Sequence, residues 1–351
     1  VGDVHADTVG VHITYLVGSR HEGYGEKGMA HLLEHLLFKG TRTNPDIKKE
    51  LTARGARYNG TTSFDRTNYF ETLTASDDNL DWALGMEADR MVNANVAKSD
   101  LDSEMTVVRN EYESGENNPG SVLVKRLQQL AFPWHNYGRS VIGARSDIES
   151  VPIERLQAFY RTWYRPDNAV LIVSGKFDEA RALAMVAKHF GPVARPAQPM
   201  PGLYTVEPVQ DGERHVTLRR VGDTPILATL YRIPAGGHPD YAAVDVLVRI
   251  LGTAPTGRLH RALVQKGLAS GTWGWEAALH DPGYASFGAA LPKDADLGAA
   301  RDALFAAVEG FGTTPVTPEE VAQAKTRLLN EVEKALTETP SLVRWLSEYS
   351  A

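Results

Sequence analysis

Apolar positions along this chain switch repeatedly between two spacings. Val11 to Val17 (VHITYLV) is rich in β-branched residues and runs into Gly18-Ser19, which predicts a strand. Met29 to Phe38 sets leucines 32, 33, 36 and 37 around two histidines and stops at Lys39-Gly40, the pattern of a mostly buried helix. Ile47 to Arg54 reads as a short helix closed by Gly55, and Thr61 to Leu73 carries the Thr, Tyr and Phe content of one or two strands. Leu80 to Met91 is a further helix. Ser99-x-x-Asp102 resembles a capping box for another, from about Asp100 to Ser114. Helices are also predicted at Val122 to Ala131, Ile153 to Arg161 and Asp178 to Phe190, with a buried strand at Ala169 to Val173.

Five prolines then fall between Gly191 and Gly212 in a stretch with little periodicity, the composition of a linker. Beyond it, Val216 to Leu218, Ile226 to Arg232 and Ala285 to Leu291 read as strands. Tyr241 to Leu251, Arg258 to Gln265 and Pro318 to about Leu336 read as helices. The order repeats that of the first half, so a duplicated unit is expected. Strands interleaved with helices in this irregular order predict an α+β fold of two related domains, each an antiparallel-rich sheet packed with helices. The expected division is a first domain over 1–195, a Pro-rich linker over 196–214 and a second domain over 215–351.

Bulk properties narrow the function. A chain of 351 residues, 42% hydrophobic and 23% charged, is long enough for two cores and too apolar for disorder. Its net charge of −7, with no Lys/Arg run, points to no nucleic-acid or membrane partner. No apolar run reaches the length of a membrane span, and the sequence opens at Val1 without the charged and apolar segments of a signal peptide. The absence of cysteine excludes disulfides, thiolate metal sites and a cysteine nucleophile, so any metal must be held by His and carboxylate.

The chemistry concentrates in H-L-L-E-H, residues 31–35. His31 and His35 lie four apart on the predicted helix, so both imidazoles leave one face and can grip one ion, with Glu34 beside them. Zinc held by neutral imidazoles keeps a position for water and polarises a carbonyl, while a nearby carboxylate takes the proton and passes it to a leaving amine. The order H-x-x-E-H is the reverse of the commoner H-E-x-x-H. Glu104 and Glu111, seven apart on the helix expected after Ser99, share a face. One of them can ligate while the other supports a histidine, and Glu113 and Glu116 compete for the ligand position.

A longer stretch, VGSRHEGYGEKGMAHLLEHLLFKGT from Val17 to Thr41, resembles the inverzincin peptidases of the pitrilysin (M16) family, which includes insulin-degrading enzyme and the mitochondrial processing peptidase. NGTTSFDRTNY (Asn59 to Tyr69), EMTVVRNE (Glu104 to Glu111) and FPWHNYGRSVIG (Phe132 to Gly143) resemble other segments of that family, and Gly257 to Gly283 does so more faintly. The resemblance implies a metalloendopeptidase with one Zn²⁺ per chain. It implies His31, His35 and Glu111 as ligands, Glu34 as general base and Glu104 as a supporting catalytic-site carboxylate. It further implies that Asn59, Gly60 and Thr61 lie on an edge strand that pairs with the substrate backbone, since an open strand edge lets an extended peptide add itself through main-chain hydrogen bonds.

The remaining histidines (5, 12, 21, 135, 189, 215, 238, 260 and 280) have no partner at ligand spacing, and surface or core roles are expected for them. The second half carries no H-x-x-E-H at the equivalent of the first helix, so it is expected to be an inert copy that does not bind metal. Against the family the chain is short before Val4 and after its last long helix, so the second domain is expected to be incomplete at its C-terminus. The family builds a closed chamber from four such domains, which implies a homo- or hetero-oligomer around a peptide substrate. A noncatalytic structural or assembly subunit of the same fold is the competing expectation. A bacterial periplasmic location is expected over a cytoplasmic one.

Overall fold

The computed structural model describes residues 1–3 and 5–351. The strands are β1 (Thr8–Tyr15), β2 (Arg57–Thr62), β3 (Thr67–Thr74), β4 (Ala169–Gly175), β5 (Ile226–Arg232), β6 (Gly271–Ala277) and β7 (Tyr284–Ala290). The α-helices are α1 (Met29–Leu36), α2 (Ile47–Ala53), α3 (Asp77–Asn93), α4 (Lys98–Glu116), α5 (Pro119–Ala131), α6 (Arg145–Ser150), α7 (Ile153–Trp163), α8 (Glu179–Phe190), α9 (Tyr241–Gly252), α10 (Leu297–Glu309), α11 (Pro318–Thr337) and α12 (Thr339–Tyr349). The α+β expectation is met.

Two compact units form, and neither is one continuous stretch. The first takes residues 1–113, 139–206 and 335–351; the second takes 114–138 and 207–334. The chain crosses between them at 206/207, inside the Pro-rich segment. The contiguous division expected from the sequence therefore misplaces two helices. α5 lies in the second unit beside β5, and α12 lies in the first beside β4. An apolar helical stripe shows that a helix must be covered, not which sheet covers it.

The first unit holds an antiparallel sheet in the order β2-β3-β1-β4. Ile13 pairs with Tyr69 on one side and Leu171 on the other, and Gly60 pairs with Tyr69. Strand alternation sends Val11, Ile13, Tyr15 and Tyr69 to the buried face while His12 and Thr14 take the opposite one. α12 contributes to that opposite side, with the Ser347 hydroxyl 2.7 Å from Thr14 Oγ1 and accepting from Asn68 Nδ2 at 3.0 Å.

Helix α1 buries Met29, Ala30, Leu32, Leu33 and Leu36. Each such leucine contributes roughly 1.5–3 kcal/mol by leaving water. The helix starts at Gly28, whose φ of +102° suits a residue without a Cβ and whose lack of a side chain leaves the first amides without a local cap. Glu22 fills that role from upstream, accepting from the amides of Gly28 at 3.0 Å and Ala30 at 2.9 Å. Beyond its C-terminal end, Phe38 packs against the guanidinium of fully buried Arg90, 5.3 Å from the ring centroid, while Arg90 pairs with Glu87.

In the second unit β5, β7 and β6 form an antiparallel sheet in that order. With β5 for β1, β7 for β3 and β6 for β2, this is the arrangement of the first unit's β1-β3-β2 portion, as a duplicated unit requires.

Several local expectations fail. Ser99-x-x-Asp102 is no capping box, because α4 already begins at Lys98 and Ser99 lies inside it. Val216 to Leu218 forms no strand and pairs with none among the described residues. Arg258 to Gln265 is helical as expected, but with π-type hydrogen bonding over His260–Val264. β6 was hidden by its Trp-Gly-Trp sequence, and α10 and α12 by weak or short apolar patterns.

Candidate metal and catalytic centre

α1 presents His31, Glu34 and His35 as its helical period dictates, and α4 brings a carboxylate to them. The Nε2 atoms of His31 and His35 stand 3.3 Å apart, and each lies 3.5 Å from Glu111 Oε2. Among the described residues this is the one group of three His or acidic side chains spaced to share an ion. The three histidine and carboxylate residues thus converge from sequence positions 31, 35 and 111.

The donor set fits zinc. Bonds of about 2.0–2.1 Å at tetrahedral angles separate ligand atoms by roughly 3.3–3.4 Å, and the observed separations of 3.3, 3.5 and 3.5 Å match that spacing. His31 is also in the right form. Burial, and then the neighbouring His35, pull His31 down to about pKa 4, so it stays neutral with a lone pair to offer. His35 turns its Nδ1 to Glu104 Oε1 at 3.2 Å, which leaves Nε2 for the shared point if the Nδ1 carries the hydrogen.

Glu104 is buried and held on its other oxygen by Lys39 Nζ at 2.6 Å. Burial alone would raise its pKa, but the hydrogen bonds from Lys39 and His35 outweigh it and keep the group below the usual carboxylate range. It remains an anion that fixes the His35 ring. Glu111, by contrast, is 46% exposed, so the ligand cluster opens to solvent on the α4 side. The sequence rivals do not join it: Glu113 lies 3.8 Å from Arg145, and Glu116 lies 3.3 Å from Lys125.

Glu34, next to His35 on α1, is 8% exposed. Burial pushes its pKa upward, partly offset by His35 and by a hydrogen bond from the Thr62 hydroxyl at 3.0 Å to Oε2. A carboxylate raised in this way holds and releases a proton closer to neutral pH than a solvated one.

β2 forms the free edge of the first unit's sheet. Asn59 and Thr61 are exposed on it, and Gly60 is buried against α1. A Cβ placed on Gly60 would lie 2.9 Å from Glu34 Oε1 and 3.0 Å from the Phe38 ring, so the absence of a side chain there is what lets the strand approach the Glu34 carboxyl. Asn59, Gly60 and Thr61 therefore run along an open strand edge beside Glu34. Sequence reasoning missed Thr62. Its signal was the two-residue strand period, which puts Thr62 on the Gly60 face and Asn59 and Thr61 on the other.

Other histidines are engaged elsewhere. His135 Nε2 lies 3.1 Å from Asp281, and His189 Nε2 lies 2.9 Å from Asp81. Among the described residues no helix is long and apolar enough to cross a membrane.

Comparison with known proteins identifies the family. Residues 3–145 match the family described as Insulinase (Peptidase family M16), and residues 150–328 match Peptidase M16 inactive domain. A zinc protease of Helicobacter pylori, PqqE, is 31% identical over 321 residues, covering 90% of this chain and 72% of the relative. An uncharacterized zinc protease of Mycobacterium tuberculosis is 31% identical over 299 residues, with 83% of this chain and 66% of the relative covered. The crystal structure of a protease from Helicobacter pylori superposes with a TM-score of 0.91 at 28% identity, covering 99% of this chain and 85% of that one. On these matches the chain belongs to the M16 family of peptidases.

Proposed function

We propose that this chain is a zinc-dependent endopeptidase holding one ion through His31, His35 and Glu111, and that it hydrolyses peptides or unfolded segments. The observation that carries this is the convergence of two Nε2 atoms and one carboxylate oxygen within 3.5 Å of one another. When bound, zinc supplies Lewis-acid polarisation of the scissile carbonyl and acidifies a solvent molecule towards neutral pH. Glu34, buried and raised in pKa, accepts the proton of the attacking water and returns it to the leaving amine. Glu104 anchors His35 through Nδ1. The edge of β2 at Asn59, Gly60 and Thr61 takes an extended peptide by main-chain hydrogen bonds, which selects an extended conformation more than a sequence.

Glu34→Gln tests this directly. The variant keeps its zinc and loses roughly 10²–10⁴ of its peptidase rate, the span general base catalysis supplies; undiminished turnover by that variant removes the assignment. The competing role, a noncatalytic assembly subunit, is separated by zinc stoichiometry, since purified chain that takes up no zinc favours it. A second copy or a partner subunit completes a peptide-enclosing chamber in this proposal, and native mass spectrometry of the active species measures it. The bacterial periplasm is the proposed compartment, checked by fractionation of the source cells.

A further inference from the structure

We infer that Thr62 is a positioning residue for Glu34: its hydroxyl holds the carboxylate in the orientation from which the proton is taken. The inference rests on the proposed role of Glu34 as base.

Among the described residues, the Thr62 hydroxyl is the side chain that donates a hydrogen bond to Glu34, at 3.0 Å to Oε2. The other oxygen, Oε1, lies over Gly60, where any Cβ would come within 2.9 Å. Two positions of one strand, spaced by its period of two, therefore act on one carboxyl: Gly60 leaves the space and Thr62 fixes the rotation within it. The terminal torsion of a glutamate is broad and soft, so without a partner the group samples many orientations even when buried. A base that must meet a proton within hydrogen-bond reach loses rate when it is free to turn.

The strand itself is a stable platform. β2 is paired along its length with β3, with Gly60 opposite the fully buried Tyr69 and Thr62 opposite Thr67. This arrangement puts the residue that orients the base and the edge that receives the peptide on the same six-residue strand. Substrate pairing through the backbone of β2 is thereby separate from the orientation of Glu34 through a side chain of β2.

Thr62→Val keeps size and β-branching but removes the donor. With a fluorogenic peptide substrate and zinc-loaded protein, its kcat is expected to fall roughly 10- to 100-fold, the span for loss of a hydrogen bond to a charged group. KM and zinc stoichiometry stay within about twofold, and Thr62→Ser restores most of the rate. In the Glu34→Gln background Thr62→Val adds less than about twofold. A Thr62→Val enzyme as fast as wild type, or a Thr62→Ser enzyme as slow as Thr62→Val, overturns the inference. A second readout needs no turnover. In metal-free protein, the infrared carboxyl band that disappears in Glu34→Gln should shift in Thr62→Val and in Thr62→Ala, and an unshifted band also overturns the inference. If Glu34→Gln keeps full activity while the band shifts, the base assignment fails and the contact stands; if Glu34→Gln is inactive and the band does not move, Thr62 alone is wrong.

Discussion

The two units contain the same helix-against-strand arrangement, α1 with β2 and α9 with β6, and among the described residues only the first holds a group of His and acidic side chains spaced to share an ion. α9 reads YAAVDVLVRILG over Tyr241–Gly252 and carries neither histidine nor glutamate. The spacing differs as well. In the second unit, Gly252 and Gly274 face each other so closely that a Cβ on Gly252 would lie 2.5 Å from the Gly274 backbone. In the first, a glycine is present only on the strand, at Gly60, and the space it leaves is filled by the Glu34 carboxyl. One fold thus serves as a packed core in one copy and as a housing for a buried acid in the other. The difference is a few side chains and the distance at which a helix rides over its strand.

This comparison can be broken most sharply at the ligands. Glu111→Gln is expected to weaken zinc binding by more than 100-fold, and Glu104→Gln, which only loosens His35, by roughly 10- to 100-fold, the range for loss of a supporting carboxylate. Isothermal titration with zinc measures both. Glu276→Gln, in β6 of the second unit, should leave zinc binding unchanged. Equal effects of Glu104→Gln and Glu111→Gln would show that the two carboxylates do not divide the roles described.

The glycines provide the next contrast. Gly60→Ala drives a methyl into Glu34 and is expected to cut turnover about 10-fold or more while zinc stays bound, because an overpacked contact costs roughly 1–3 kcal/mol. Gly274→Ala meets the Gly252 backbone instead, and should lower thermal stability by a comparable energy without touching the metal centre in a zinc titration. The reverse pattern would mean the second unit shapes the site.

A further contrast concerns pH. His12, on the sheet face away from α1, is held at about pKa 4 by burial and by the nearby Arg66. Its folded pKa lies below the unfolded value of 6.5, so the unfolded chain binds the extra proton between those limits and stability is lost as pH falls from about 6.5 to about 4. Relative to His12→Gln, wild type should lose up to roughly 3 kcal/mol across that window, measured by urea unfolding. A constant difference between the two proteins would show that His12 does not titrate there.

Much of the site was legible in the sequence because its parts are local. The H-x-x-E-H spacing needs only a helix to put His31, Glu34 and His35 on one face, and the seven-residue step from Glu104 to Glu111 needs only a second one. The duplication was legible for the same reason, as a repeated order of strand, turn and helix. The capping box at Ser99 and the strand at Val216 were misjudged because each depends on what lies beside it, the start of α4 in one case and a pairing partner in the other.

What the sequence determined by itself was which residues could share a face. Periodicity along one element is a property of backbone geometry alone. Which element each face meets was decided only by the tertiary structure. That is how Glu111, not Glu113 or Glu116, came to lie 3.5 Å from both imidazoles, how α5 came to pack beside β5 and α12 beside β4, and how Thr62 came to face Glu34. Contacts between elements depend on packing over long sequence separations, where many partners satisfy the same apolar pattern and only the whole core selects one.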